Sequence, residues 1–145
     1  MFKKILVPLD NSPTDKAILD YIRPLAKLTG ANLILVHVAD GFAARLQDEL
    51  NLADSEEIKQ DRQYLESCRQ TLVQDGFHVK SHLVRGEPTN EILAIAEKER
   101  CDLIAMSTHG HRFIKDILLG SVAEGIRHRT FIPILMIQAP HSFRL

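Results

Sequence analysis

The chain reads as an α/β domain built on a mainly parallel sheet with helices on both faces. Three observations predict it. Short apolar β-type runs alternate with longer helix-type segments in the order βαβαβαβαβ, which right-handed crossovers turn into a parallel sheet. Four of the five β-type runs are near-continuously apolar, as strands covered on both faces must be. The length, 145 residues, fits one domain with a core large enough to need no disulfide or metal staple.

The first strand is expected over residues 4–9 (KILVPL), the second over 32–38 (NLILVHV), the fourth over 102–107 (DLIAMS) and the fifth over 132–138 (IPILMIQ). The third, 78–84 (HVKSHLV), alternates Val79, Ser81 and Leu83 with Lys80 and His82. Such alternation places it at an edge of the sheet. A helix over 12–28 aligns Ile18, Ile22, Leu25 and Leu28 in one apolar stripe. Ser12 reads as its N-cap, Pro13 as its first residue and Asp15 as the acid of a capping box. Pro24 is expected to kink this helix or end its regular part. The second helix, 54–74, turns Ile58, Tyr64, Leu65, Cys68 and Leu72 inward, while its charged run through Asp61 and Arg62 reads as a solvated face. Two more helices, 89–99 and 117–128, follow the Gly86-Glu87-Pro88 turn and a polar loop. Residues 39–53 form a link of the length often used for lids or partner-binding loops.

Composition narrows the function. Eighteen basic and nineteen acidic residues leave a net charge of −1, without the basic excess typical of a nucleic-acid-gripping domain. Cys68 and Cys101 form no CxxC pair and read as thiols of a reducing compartment. The N-terminal run is too short for a signal peptide, and no stretch reaches the roughly 18 apolar residues of a membrane span. These features point to a cytoplasmic protein.

In an open α/β sheet, ligands bind beyond the carboxyl ends of the strands, where the strand order reverses. The two most polar strand exits are Pro8-Leu9-Asp10-Asn11-Ser12 and Met106-Ser107-Thr108-His109-Gly110. Asp10 has two readings: an acceptor for the vicinal hydroxyls of a ribose, or a helix-entry acid favoured by the helix dipole. The loop from Ser107 to Gly110, followed after nine residues by Gly120-Ser121, has the small side chains of an anion site at a helix entrance. Equally, Gly110 reads as a turn residue and Gly120-Ser121 as a packing notch. His109 and His111 lack further ligands at metal-site spacing, and His37, inside an apolar strand, reads as a hydrogen-bonded core histidine. Neither GxxxxGK[ST], GxGxxG nor GxSxG occurs.

The opening KKILVPLDNS, the strand LILVHV, the turn Val84-Arg85-Gly86-Glu87-Pro88 and MSTHG-x9-GSVAEGIRHRTFIPILMI closely resemble the universal stress protein family, in order and spacing, over nearly the whole chain. The resemblance implies a single domain over 1–145 with five parallel strands in the order 3-2-1-4-5. This is a Rossmann-like fold of the adenine nucleotide alpha hydrolase type, usually found as a homodimer. One branch of the family binds ATP through G-x2-G-x9-G-[ST] after the fourth strand; another lacks the motif and binds no nucleotide.

Carried over by position, Asp10 would contact the ribose, and Pro8, Leu9 and Val38 would flank the adenosine, with Met106 beside base and ribose. His109, Gly110, Gly120, Ser121 and Val122 would line the triphosphate cradle. Ser107 stands where the motif's first glycine is expected, and its Cβ would be strained there if the position required a positive φ. The resemblance implies an ATP-binding stress-response sensor or regulator, with AMP or ADP as other ligands and Mg²⁺ or Mn²⁺ accompanying the phosphates. No general base or nucleophile is placed for turnover, so any ATP hydrolysis is expected to be slow. The alternative is a dimeric interaction module without nucleotide, with a regulatory protein partner in either case. The last strand, from Ile132 to Gln138, is expected to pair with its own copy, closing an apolar edge.

Overall fold

Apolar strands need cover on both faces, and the helices supply it. The computed structural model describes residues 1–39, 56–107 and 113–138, the side chains of 113–120 excepted. Five strands, β1 (Lys4–Pro8), β2 (Asn32–Ala39), β3 (Val79–Arg85), β4 (Leu103–Ser107) and β5 (Ile134–Ile137), form one sheet in the order β3-β2-β1-β4-β5. Every pairing is parallel. Between them run α1 (Thr14–Thr29), α2 (Glu56–Gln74), α3 (Pro88–Lys98) and α4 (Phe113–Arg129).

Successive residues of a strand serve different cores. Ile5, Val7, Leu33, Leu35 and Leu103 pack against Ile18 and Ile22 of α1 and Leu65 and Leu72 of α2. Leu6, Ile34, Val36, Ile104 and Met106 face the other way, onto Ile92 and Ile95 of α3 and Val122 and Ile126 of α4. Fully burying one such side chain contributes about 1.5–3 kcal/mol, and the two cores together fix the sheet's position. Strand β3 is only half-buried along its length, as its alternating sequence and edge position require.

Helix α1 departs from expectation at its start and its middle. Its N-cap is Pro13, without a side-chain cap. The Ser12 hydroxyl instead turns back to Asp10 Oδ1, and the Asp15 carboxylate bonds the amides of Asp10 and Asn11. No capping box forms, because Asn11 takes a positive φ of 60° and redirects the chain before the helix begins. Nor does Pro24 end the helix, which runs on to Thr29. Pro24 lies on the exposed face, where the Asp20 carbonyl it leaves unbonded is open to water. The helix stops at Gly30, whose φ of 72° allows its amide to return to the Ala26 carbonyl at 2.8 Å.

At the other end of the chain, α4 begins at Phe113, four residues before the expected position 117. Gly120 and Ser121 therefore lie inside the helix and not at its entrance. The link expected at 39–53 lies outside the described residues from position 40 onward.

Candidate functional site

The chain runs outward from β1 through β2 to β3, then crosses back to β4 and β5. Strand order thus reverses between β1 and β4, which pair through Ile5 with Leu103 and Leu6 with Ile104. A crevice at their carboxyl ends is the place where such sheets accept ligands. Pro8, Asp10 and Ser107 all sit at these two exits. Thr108, His109, Gly110, His111 and Arg112 lie outside the described residues.

Asp10 follows β1 by two residues, and the turn that carries it is tied at nearly every polar atom. The Leu9 amide bonds the Val36 carbonyl at 2.8 Å, and the Leu9 carbonyl meets His37 Nδ1 at 2.8 Å. The Asp10 amide donates to Asp15 Oδ1 at 3.1 Å and the Asn11 amide to Asp15 Oδ2 at 2.9 Å. The Asn11 side chain donates to Asp61 Oδ1 at 3.1 Å, and Asp61 Oδ2 lies 3.2 Å from His37 Nε2. Ser12 Oγ donates to Asp10 Oδ1 at 2.5 Å and lies 2.7 Å from Thr14 Oγ1. With Ser12 donating to Asp10, the Thr14 hydroxyl must be the donor to Ser12.

One acceptor is left over. Asp10 Oδ2 is buried and has no hydrogen-bond partner among the described residues. An unsatisfied buried carboxylate oxygen costs on the order of 1–3 kcal/mol or more, and a ligand hydroxyl would relieve it. This observation favours the ligand reading of Asp10 over the helix-entry reading.

The remaining candidates divide between lining and core. Leu9 is 4% exposed and belongs to the first core. Val38, half-buried near the end of β2, packs on the second core, which includes Met106 and Val122. Ser121 is exposed. Ser107, the last residue of β4, is buried opposite Ile137. Among the described non-glycine residues only Asn11 and Arg100 have positive φ, so Ser107 carries no such backbone strain. The motif's first position is therefore compatible with a Cβ in this backbone.

Sequence reasoning read Asp15 as a cap acid and Asp61 as part of a solvated face. The structure overturns both. Asp15 is 2% exposed and also accepts from the Tyr64 hydroxyl at 2.6 Å. Burial and the charge of Asp10 beside it raise its pKa to about 7, although the Tyr64 hydroxyl and the Asp10 amide favour ionisation. Burial and the Asp15 carboxylate in turn push the Tyr64 phenol upward. His37 is buried, with Nδ1 against the Leu9 carbonyl and Nε2 3.2 Å from Asp61 Oδ2, as expected of a hydrogen-bonded core histidine. The available signal was spacing: Asp61, Tyr64, Leu65 and Cys68 share one face of α2.

Fold and crevice together define a doubly wound, Rossmann-like α/β domain with a candidate ligand crevice at the β1/β4 exit. More particularly, the chain belongs to the universal stress protein family, whose sequence profile matches residues 1–138. It is 32% identical to the universal stress protein MJ0577 of Methanocaldococcus jannaschii, over 98% of both chains. A solved structure of MJ0577 superposes with a TM-score of 0.81 at 33% identity, covering 97% of this chain and 99% of that one. A universal stress protein of Archaeoglobus fulgidus, solved in complex with dAMP, shares the fold with a TM-score of 0.69 at 20% identity, over 93% and 97% of the two chains.

Proposed function

We propose that this protein is an ATP-binding universal stress protein of the cytoplasm, a sensor or regulator and not a turnover enzyme. The observation that carries the reading is the buried Oδ2 of Asp10 at the strand-order reversal, which has no hydrogen-bond partner among the described residues. It suits one hydroxyl of a ribose, and the dAMP held by a neighbour of the same fold supports an adenine nucleotide as the ligand class. Pro8 and Val38 would flank the adenosine, with Met106 in the crevice floor. Residues 107–110 with Gly120, Ser121 and Val122 would meet the phosphates, which bring their own Mg²⁺ or Mn²⁺.

Mass spectrometry of the protein purified without added nucleotide, joined to calorimetric titration with Mg·ATP, tests this reading. Saturable binding at micromolar to millimolar ATP is expected; no binding at millimolar nucleotide would refute it. A dimeric interaction module without nucleotide is the second reading. Its support is Ser107, a buried side chain where the motif's first glycine is expected.

The homodimer belongs to both readings. Strand β5 is a sheet edge, paired on one side to β4. Met136 is 39% exposed, and Phe131, three residues before the strand, is fully exposed. Pairing of two β5 edges about a two-fold axis would cover this apolar margin. Light scattering at micromolar concentration should give a dimer mass, and Met136→Lys or Ile134→Lys should shift it toward monomer. A monomeric parent protein would refute the edge pairing.

A further inference from the structure

Asp15, Asn11 and Tyr64 lie outside the expected ligand-contacting set, yet they hold the turn that presents Asp10. We propose that Asp15 is a positioning residue for the nucleotide, acting through the amides of Asp10 and Asn11. This inference rests on the nucleotide reading of the crevice and adds a proton-sensitive control to it.

The geometry is specific. One carboxylate, 2% exposed, gathers three donors: the Asp10 amide at 3.1 Å, the Asn11 amide at 2.9 Å and the Tyr64 hydroxyl at 2.6 Å. Holding both amides stabilises the φ of 60° at Asn11, a conformation that costs a non-glycine residue energy. That bend points the Asp10 side chain so that Ser12 occupies Oδ1 and Oδ2 has no partner among the described residues. Asn11 is fixed again from α2, through Asp61 and then His37. Helix α2 thus grips the turn twice, at Tyr64 and at Asp61.

A carboxylate accepts from three donors, but a carboxylic acid has a proton where one of them must approach. Protonated Asp15 instead donates to the Asp10 carboxylate, which rearranges the bonds of the turn and takes up an acceptor that the ribose would use. The groups facing it are Asp10 from the strand exit, and Tyr64 and Cys68 from α2. Arg23 of α1 acts on Cys68, while Asp61 and His37 lie one bond further away through Asn11. Burial and the Asp10 charge bring the Asp15 proton into the neutral range, at about 7. Falling pH then protonates Asp15 and weakens nucleotide binding. If only the ionised form binds, linkage sets the loss at up to about tenfold between pH 8 and pH 6.

The test is calorimetric titration of parent, Asp15→Asn and Tyr64→Phe with Mg·ATP, and with adenosine, which carries no titrating phosphate, from pH 6 to pH 8. The parent should lose affinity for both ligands on the acid side. Asp15→Asn should bind about tenfold more weakly at pH 8, with a flat profile. Tyr64→Phe should keep the slope and move its midpoint to higher pH, because the lost hydroxyl favoured the ionised form. Asp15→Asn with parental affinity and slope overturns the positioning role, since the slope would then belong to another group. Should Asp15→Asn fail to fold, an unmoved midpoint in Tyr64→Phe overturns it alone. A parent protein that binds neither ligand instead removes the nucleotide reading, and this role with it.

Discussion

Asp10→Ala is expected to weaken Mg·ATP binding by about 1.5–3 kcal/mol, the worth of charge-assisted hydrogen bonds to the ribose. At 25 °C that is roughly a 10- to 150-fold rise in Kd. The unliganded protein should not lose stability in proportion. Asp10 makes one side-chain hydrogen bond within its own turn, to Ser12, which keeps Thr14 as a partner when Asp10 is truncated. Its charge also raises the cost of ionising the buried Asp15, so at neutral pH its removal relieves a repulsion. Paired titrations and thermal melts check both halves. A sharp fall in unliganded melting temperature with unchanged affinity would make Asp10 a structural residue only.

Gly120→Val should have the largest effect on the phosphates' side of the crevice, abolishing measurable ATP binding while the fold persists. Gly120 is inside α4, and glycine in a helix interior costs about 1 kcal/mol relative to alanine, more than valine does. Helix propensity therefore does not oppose the valine, and a thermal melt of the variant checks that the fold persists. Lost binding in a protein of undiminished stability can be ascribed to the added methyl groups meeting the ligand. Ser107→Gly supplies the contrast. Its backbone needs no positive φ, so glycine is not required there for strain relief, and affinity should be equal to the parent's or tighter. The cost should fall on stability, because a buried strand position loses its side chain and gains backbone freedom. If parent and both variants all fail to bind at millimolar Mg·ATP, the interaction-module reading prevails.

Much of the fold was legible residue by residue because the governing signals are local. The unbroken apolar runs of β1, β2 and β4 reported cover on both faces, and the alternation in β3 reported an edge. The same locality explains the errors. Pro24 does not end α1, because water can reach the carbonyl it leaves unbonded, and nothing in the adjacent sequence says that this face of α1 is exposed. The early start of α4 at Phe113 likewise follows no cap residue that the polar loop announces.

Periodicity and spacing alone settled the α/β class, the alternation of elements, two apolar cores and the edge position of β3. Resemblance added the strand order and the candidate residues at the strand exits. Tertiary structure decided which of the polar residues meet. Asp61 is 24 residues from His37 along the chain, and Tyr64 is 49 from Asp15, yet each pair is hydrogen-bonded or within 3.2 Å. An acid on a charged helix face and an acid in a first helical turn look alike in sequence whether solvated or buried. Only packing of α2 onto the β1 exit removes Asp15 from water, sets it beside Asp10 and leaves one carboxylate oxygen without a partner among the described residues. Burial and the proximity of charges are properties of the assembled chain, and they are what turn this turn into a candidate ligand site.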